Sequence, residues 1–236
     1  MIDIFAYTSP GARAFNEDFV GYARTPDGAV IALCDGLGGY IGGEFASSIA
    51  ADAIIDEPYE CADDCAWLRE RLLTADRRIK EEQRRAANSM KTTAVALRLY
   101  DSRAIWAYAG DSRLYHVRDG AVREVTEDHS VAYQKYRAGQ ITRDRLATDE
   151  DRNTLLSSLG GEGEPRIDFG ATAVIKGDGL LLCSDGFWEQ IRDAEIAFDH
   201  LKAASAEEWA RLLLTRVLDR AEKGIDNLSV ITAIIR

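Results

Sequence analysis

Histidine and cysteine are both scarce in this 236-residue chain, which has three histidines (His116, His129 and His200) and four cysteines. Four cysteines make no disulfide framework at this size, and Cys34 and Cys183 lie inside apolar runs, where a reduced thiol packs as a small hydrophobe. Cys61 and Cys65 stand four apart, the spacing of one helical face, but no histidine is near them in sequence to complete a zinc set. Two reduced thiols at a helix start is the reading that needs nothing further. Long apolar runs are missing too: stretches such as 29–34 and 230–235 fall far short of the ~18 residues of a membrane span. Residues 1–8 carry no basic segment of the kind that opens an export signal, so a cytoplasmic location is expected. Positive charge is in deficit: 29 Lys and Arg against 40 Asp and Glu leave a net charge of −11 and a pI near 4.8. That balance disfavours a protein that grips nucleic-acid backbones, because counterion release needs clustered cations.

What is present is an ordinary globular composition, 46% hydrophobic and 29% charged, too apolar for disorder. A chain of this length buries roughly three-quarters of its unfolded surface and needs no covalent staples. Neither repeats nor linkers divide it, so residues 1–236 are expected to form one domain with an inserted polar segment.

Alternation and turn residues predict strands over 2–7, 19–23 and 30–34, the last two joined through Pro26-Asp27-Gly28. A glycine-rich stretch, 36–43, leads to a helix over 44–55 whose Phe45, Ile49 and Ala53 would face the core. A second helix, 64–87, carries the apolar stripe Leu68, Leu72, Ala75 and Ile79. Its arginines alternate with acids and read as a solvated face. Residues 93–100, 103–109 and 113–118 read as a meander of short antiparallel strands. Residues 130–151 are polar and helical only in pieces. Strands over 166–175, 179–184 and 230–235, with an amphipathic helix over 207–221, complete an α+β pattern of antiparallel sheets covered by helices.

The informative residues are acidic and sit at strand ends. The run ending at Cys34 passes into Asp35-Gly36, the run ending at Cys183 passes through Ser184 into Asp185-Gly186, Asp226-Asn227 precedes the last strand, and Gly110-Asp111 lies between two others. Singly, each Asp-Gly reads as a turn. Together with Glu17-Asp18 they describe a cluster whose repulsion must be offset: two unit charges ~4 Å apart cost about 4 kcal/mol at an effective dielectric near 20. With no His or Cys in the set, a hard divalent cation, Mg²⁺ or Mn²⁺, is the matching partner.

The wording and order of these segments resemble the metal-dependent serine/threonine protein phosphatases of the type 2C family, bacterial type. The resemblance rests on Arg13-Ala14-Phe15-Asn16-Glu17-Asp18, Asp35-Gly36-Leu37-Gly38-Gly39, Lys91-Thr92-Thr93, Gly110-Asp111-Ser112-Arg113, Thr126-Glu127-Asp128-His129-Ser130, Ser184-Asp185-Gly186 and Asp226-Asn227-Leu228-Ser229-Val230. One such motif is weak; seven in family order over nearly the whole chain are strong.

The resemblance implies a four-layer α-β-β-α sandwich, two antiparallel sheets packed face to face and flanked by helices, with a flap insertion at about 130–152. It implies two Mn²⁺ or Mg²⁺ ions and a third held more weakly. Asp35 would bridge two metals, the Gly36 carbonyl would bind the second, and Asp185 and Asp226 would complete the first. Glu17 and Asp18 would act through bound waters, and Asp111 with Asp185 would hold the third. Arg13 would grip the substrate phosphate through its planar fork. The catalytic set is thus Arg13, Asp35, Asp185 and Asp226, and the cations would supply an acidified water as the nucleophile. Phosphorylated proteins and a serine/threonine kinase pathway are the implied partners of a monomer that needs neither nucleic acid nor membrane. His129 is read as structural, fixing the start of the flap.

Three departures stand out. Leu37 occupies a position where animal relatives have a histidine proposed as general acid, and bacterial relatives commonly Met. Lys91 replaces a usual Gly, and Ser157-Ser158-Leu159-Gly160 only approximates the family's motif after the flap. Two other readings compete: a catalytically silent relative that binds phosphoproteins as a scaffold, and a two-metal nuclease or small-phosphoester hydrolase. The acidic ligand set counts against the first and the missing basic groove against the second.

Overall fold

Strands that run out into a carboxylate pair antiparallel with strands that begin at or just after one, and this brings the acidic ends of each pair to the same edge of its sheet. The computed structural model describes residues 1–38, 42–56, 63–220 and 224–236. Cys61 and Gly39 therefore lie outside the described residues, as does the predicted helix end at Ala221. β1 (Ile2–Ser9) pairs with one side of β11 (Leu228–Ile235) and β10 (Gly179–Cys183) with the other; β7 (Arg113–Arg118) and β8 (Ala121–Val125) complete that sheet in the order β1-β11-β10-β7-β8. The second sheet is β2 (Asp18–Thr25), β3 (Gly28–Leu37), β5 (Ala94–Tyr100), β6 (Arg103–Ala109) and β9 (Asp168–Ala173), with the short β4 (Lys91–Thr92) on the end of β3.

The period of two along each strand sorts side chains between layers. Ile31, Leu33, Val95 and Leu97 meet Leu180, Leu182 and Ile231 between the sheets. Residues of the opposite parity, Val30, Ala32 and Cys34, pack beneath α1 (Gly43–Ile55) and α2 (Asp64–Ala86). On the far side Leu181, Cys183 and Val230 pack beneath α5 (Asp193–Lys202) and α6 (Ala206–Arg220). This is the expected four-layer α-β-β-α sandwich. In α2 the stripe Leu68, Leu72, Ala75 and Ile79 is fully buried, each large aliphatic contributing roughly 1.5–3 kcal/mol. Asp63 caps the same helix, its carboxylate accepting from the amides of Cys65 and Ala66.

Three expectations need correction. Phe45 is exposed; α1 instead buries Ala46, Ala50, Ala51, Ala53 and Ile54, because it is covered by both the sheet and α2 and is packed mostly through small side chains. The strand at 113–118 does not continue a meander: after β6 the chain crosses to the other sheet, turning at Gly110, whose φ of 113° suits glycine. Between β10 and α6 the sequence reading missed α4 (Asp185–Trp188) and α5. The polar insertion folds as α3 (Val131–Arg137) and a 3-10 turn at Arg143–Thr148, closed at its base by a bridge between Ser130 and Leu155.

Candidate active site

Asp35 closes the apolar part of β3 directly opposite Asp18, the first residue of β2. Across the sandwich Asp185 follows β10 and Asp226 precedes β11, while Asp111 lies in the crossover between β6 and β7. Parity places Asp35 on the same side as Ile31 and Leu33, so the cluster continues the layer between the sheets. Close backbone packing holds these ends: a Cβ on Gly36 would fall 2.2 Å from the Gly43 carbonyl oxygen, and one on Gly186 would fall 2.2 Å from that of Asn227. Asn227 ties the loop before β2, its Oδ1 accepting from the Glu17 amide at 2.8 Å and its Nδ2 donating to the carbonyls of Pro10 and Phe15.

The electrostatics bear the mark of concentrated negative charge. Burial, and then the fields of Asp18, Asp185 and Asp111, push the Asp35 carboxyl well above its ordinary range, and Asp35 and Asp185 hydrogen-bond to one another. Burial and then Asp185 raise Asp111 in the same way. Asp18 is pushed up to about 7 by burial, against hydrogen bonds from Ser229 and Ser184 that favour its charged form; the Ser184 hydroxyl donates to its Oδ2 at 3.0 Å. Asp18 Oδ1 is buried with no hydrogen-bond partner. Glu17 is raised by burial while its carboxylate accepts from the Gly43 amide at the start of α1.

This donor set fits a hard divalent cation: oxygen ligands only, an orphaned buried carboxylate oxygen, and mutual repulsion that a bound cation would offset. Among the described residues no three His, Cys, Asp or Glu side chains form a ready-made cation-holding group, so closing a coordination shell takes side-chain rotation. Arg13 lies at the rim, its Nη2 donating to Asp226 Oδ2 at 2.7 Å. The sequence-predicted residues Asp18, Asp35, Asp111, Asp185 and Asp226 are therefore brought together, with Arg13 and Glu17 beside them.

Several residues support the cluster, among them Trp188, which no sequence motif marks. Thr93 Oγ1 accepts from the Asp35 amide at 3.1 Å and pairs with Ser112 Oγ at 2.7 Å. Trp188 Nε1 donates to the Asp111 carbonyl at 3.0 Å, and its ring lies 3.5 Å from the buried Arg113 guanidinium, which makes a bidentate pair with Asp128. His129 does not hold the flap through its side chain. Its Nδ1 accepts from the Gly110 amide at 3.2 Å, and its Nε2 lies 3.2 Å from Asp168 Oδ2.

The departures also have places. Lys91 pairs in register with Leu37, on the same face as Asp35. Leu159 bridges Thr92, and Gly160 donates its amide to Asp76 of α2 at 2.8 Å, so the segment after the flap is a buttress for β4. Beside the cluster, the flap and the segment after α4 enclose a cavity of about 810 Å³, lined among others by Arg143, Leu146, Trp188 and Ile191. Arg143 and Asp193, both in its lining, form an ion pair, and Glu189 of the lining pairs with Arg152 of the flap.

Residues 11–219 match the sequence profile of the protein phosphatase 2C family. The chain is 31% identical over 229 residues to a serine/threonine phosphatase stp of Listeria welshimeri, covering 93% of this chain and 90% of that protein. A Streptococcus agalactiae serine/threonine phosphatase superposes with a TM-score of 0.90 at 27% identity, over 100% of both chains. The catalytic domain of the serine/threonine protein phosphatase PstP, solved with two manganese ions, superposes with a TM-score of 0.83 at 29% identity, over 99% of this chain and 97% of that one.

Proposed function

This chain belongs to the protein phosphatase 2C family and is a protein serine/threonine phosphatase, and from that premise we propose that it uses two Mn²⁺ or Mg²⁺ ions, and a third held more weakly, to hydrolyse phosphoserine and phosphothreonine in proteins, reversing a serine/threonine kinase. The observation that carries the reading is the set of carboxylates at one end of the sandwich, Asp18, Asp35 and Asp111 buried and Asp185 half-buried beside them, with the field of Asp185 raising the proton affinity of the other three. Asp35, Asp185, Asp226 and the Gly36 carbonyl would ligate directly, Glu17 and Asp18 through water, and Asp111 at the weak site. When bound, the cations supply an activated water and offset charge on the phosphoryl oxygens.

The chain's own groups do the rest. Arg13, more than half exposed at the rim, exchanges Asp226 for the phosphate, which its fork can hold in two parallel hydrogen bonds. Asp35, whose carboxyl is raised by burial and by its acidic neighbours, must be ionised for the site to load. Cys34 and Cys183 are buried and burial pushes their thiols up, so neither serves as a nucleophile. The cavity under the flap, residues 130–152, receives the polypeptide around the phosphoresidue. The protein acts as a cytoplasmic monomer, the whole chain forming one phosphatase domain. Asp185→Asn tests the reading: in excess Mn²⁺ the variant should stay folded and lose turnover of a phosphothreonine peptide. Normal turnover would remove Asp185 from the mechanism.

A further inference from the structure

His129 is 2% exposed and grips Gly110 from two directions. Its ring Nδ1 accepts the Gly110 amide proton at 3.2 Å, and its own amide donates to the Gly110 carbonyl at 2.8 Å. An Nδ1 that accepts must leave the proton on Nε2, and that N–H points at Asp168 Oδ2, 3.2 Å away. Asp168 is in turn held by Arg166. The ring stacks on Tyr108, with centroids 5.1 Å apart and planes at 25°. Tautomer and orientation are therefore set from three sides.

Gly110 is the residue before Asp111 and adopts a φ of 113°, where the crossover between sheets turns. A Cβ there would lie 2.6 Å from the Thr93 side chain, so the turn is pressed against the strand that follows Asp35 in space. Trp188 fixes the Asp111 carbonyl and Thr93 fixes Ser112. The imidazole holds the remaining side of the turn.

We propose that His129, oriented by Asp168, is a positioning residue for Asp111: through Gly110 it sets where the Asp111 carboxylate stands and so how tightly the weakest cation binds. The inference rests on the assignment of Asp111 to a metal under the proposed function. It extends the general finding that partners behind a ligand tune metal affinity to a case where the partner acts through backbone.

Two substitutions separate the ring's two contacts. The amide oxygen of His129→Asn can take the place of Nδ1 and accept from Gly110, whereas His129→Gln reaches Asp168 and leaves Gly110 without its acceptor. Mn²⁺ binding is measured directly, by counting free Mn²⁺ in an electron paramagnetic resonance titration of each full-length protein, with Asp111→Asn alongside. The expected result is that His129→Gln and Asp111→Asn weaken the same, weakest class of Mn²⁺ by about tenfold or more, while His129→Asn stays within about threefold of wild type. Should Asp111→Asn weaken that class and His129→Gln leave it unchanged, or should Asn and Gln at 129 lose it equally, the positioning role is overturned. Should Asp111→Asn itself leave Mn²⁺ binding intact, the metal assignment fails, and the inference with it. If His129→Gln does not fold, Asp168→Ala carries the same test, since it frees the ring: weakened binding of that class supports the relay, and unchanged binding overturns it.

Discussion

In the presence of a chelator, replacing Asp18 by Asn should stabilise the protein, and more so as pH rises. The Asp18 carboxyl is pushed up to about 7 from an ordinary 3.8, first by burial. The native state then holds a proton that the unfolded chain has already lost. The resulting cost is absent below the unfolded value, grows as pH rises towards 7, and is full above it. Between pH 5.5 and pH 8 the proton-binding difference amounts to about 2 kcal/mol. Asn has nearly the same shape and no charge, so the stability gap between Asp18→Asn and wild type should widen by about that amount over the interval, or by about 4–8 °C in melting temperature for a chain of this size. Taking the difference between two proteins cancels the opposing contribution of His129 and His200, whose burial lowers their proton affinity and which lose stability as pH falls. Urea unfolding at a series of pH values measures the gap. A gap that stays constant from pH 5.5 to 8 would refute the argument that Asp18 is held at the expense of its charge. Saturating Mn²⁺ should reverse the order, because wild type alone keeps the carboxylate charge that favours the cation.

Three further outcomes are expected. Mn²⁺ should raise the melting temperature of wild type with concentration, by mass action on the folded state, and should leave Asp35→Ala unmoved; equal shifts in a thermal melt would remove Asp35 from the ligand set. Arg13→Ala should raise the KM for a phosphothreonine peptide and lower kcat/KM by about tenfold or more, the loss of one charge-assisted contact to phosphate, read by steady-state phosphate release. Asp128→Asn leaves the buried Arg113 guanidinium without its bidentate carboxylate and should cost about 3 kcal/mol of stability in urea; a change below about 1 kcal/mol would contradict the burial argument.

How much of this could be read in the chain depended on whether the physics was local. Asp35 and Asp185 were legible because an apolar run ending in Asp-Gly or Ser-Asp-Gly marks a strand end, and the α2 stripe was legible because one face alone is buried. Phe45 misled because α1 is covered on two sides: the helix that looks amphipathic through Phe45, Ile49 and Ala53 is packed through its alanines. Gly110-Asp111 reads as a hairpin turn, and nothing nearby in sequence says that the chain crosses to the other sheet there. That crossing depends on Trp188, 77 residues away, and on the His129 ring, 19 residues away. His129 reads from sequence as fixing the start of the flap, but its ring meets Gly110 and Asp168 instead, and the turn it holds comes earlier in the chain. The segment 193–202 was missed as a helix; its buried Ile196, Ala197 and His200 face the sheet, but Phe198 and Leu201 are apolar and exposed, which blurs the stripe.

The central claim is a metal-dependent phosphatase built on these carboxylates, and phosphate release from a phosphothreonine peptide tests it most directly, with Mn²⁺, with Mg²⁺ and with chelator, in wild type and Asp35→Asn. Wild type should release phosphate with either cation and none with chelator, and the variant none under any condition. Release that persists undiminished in chelator, or that survives in Asp35→Asn, would contradict it.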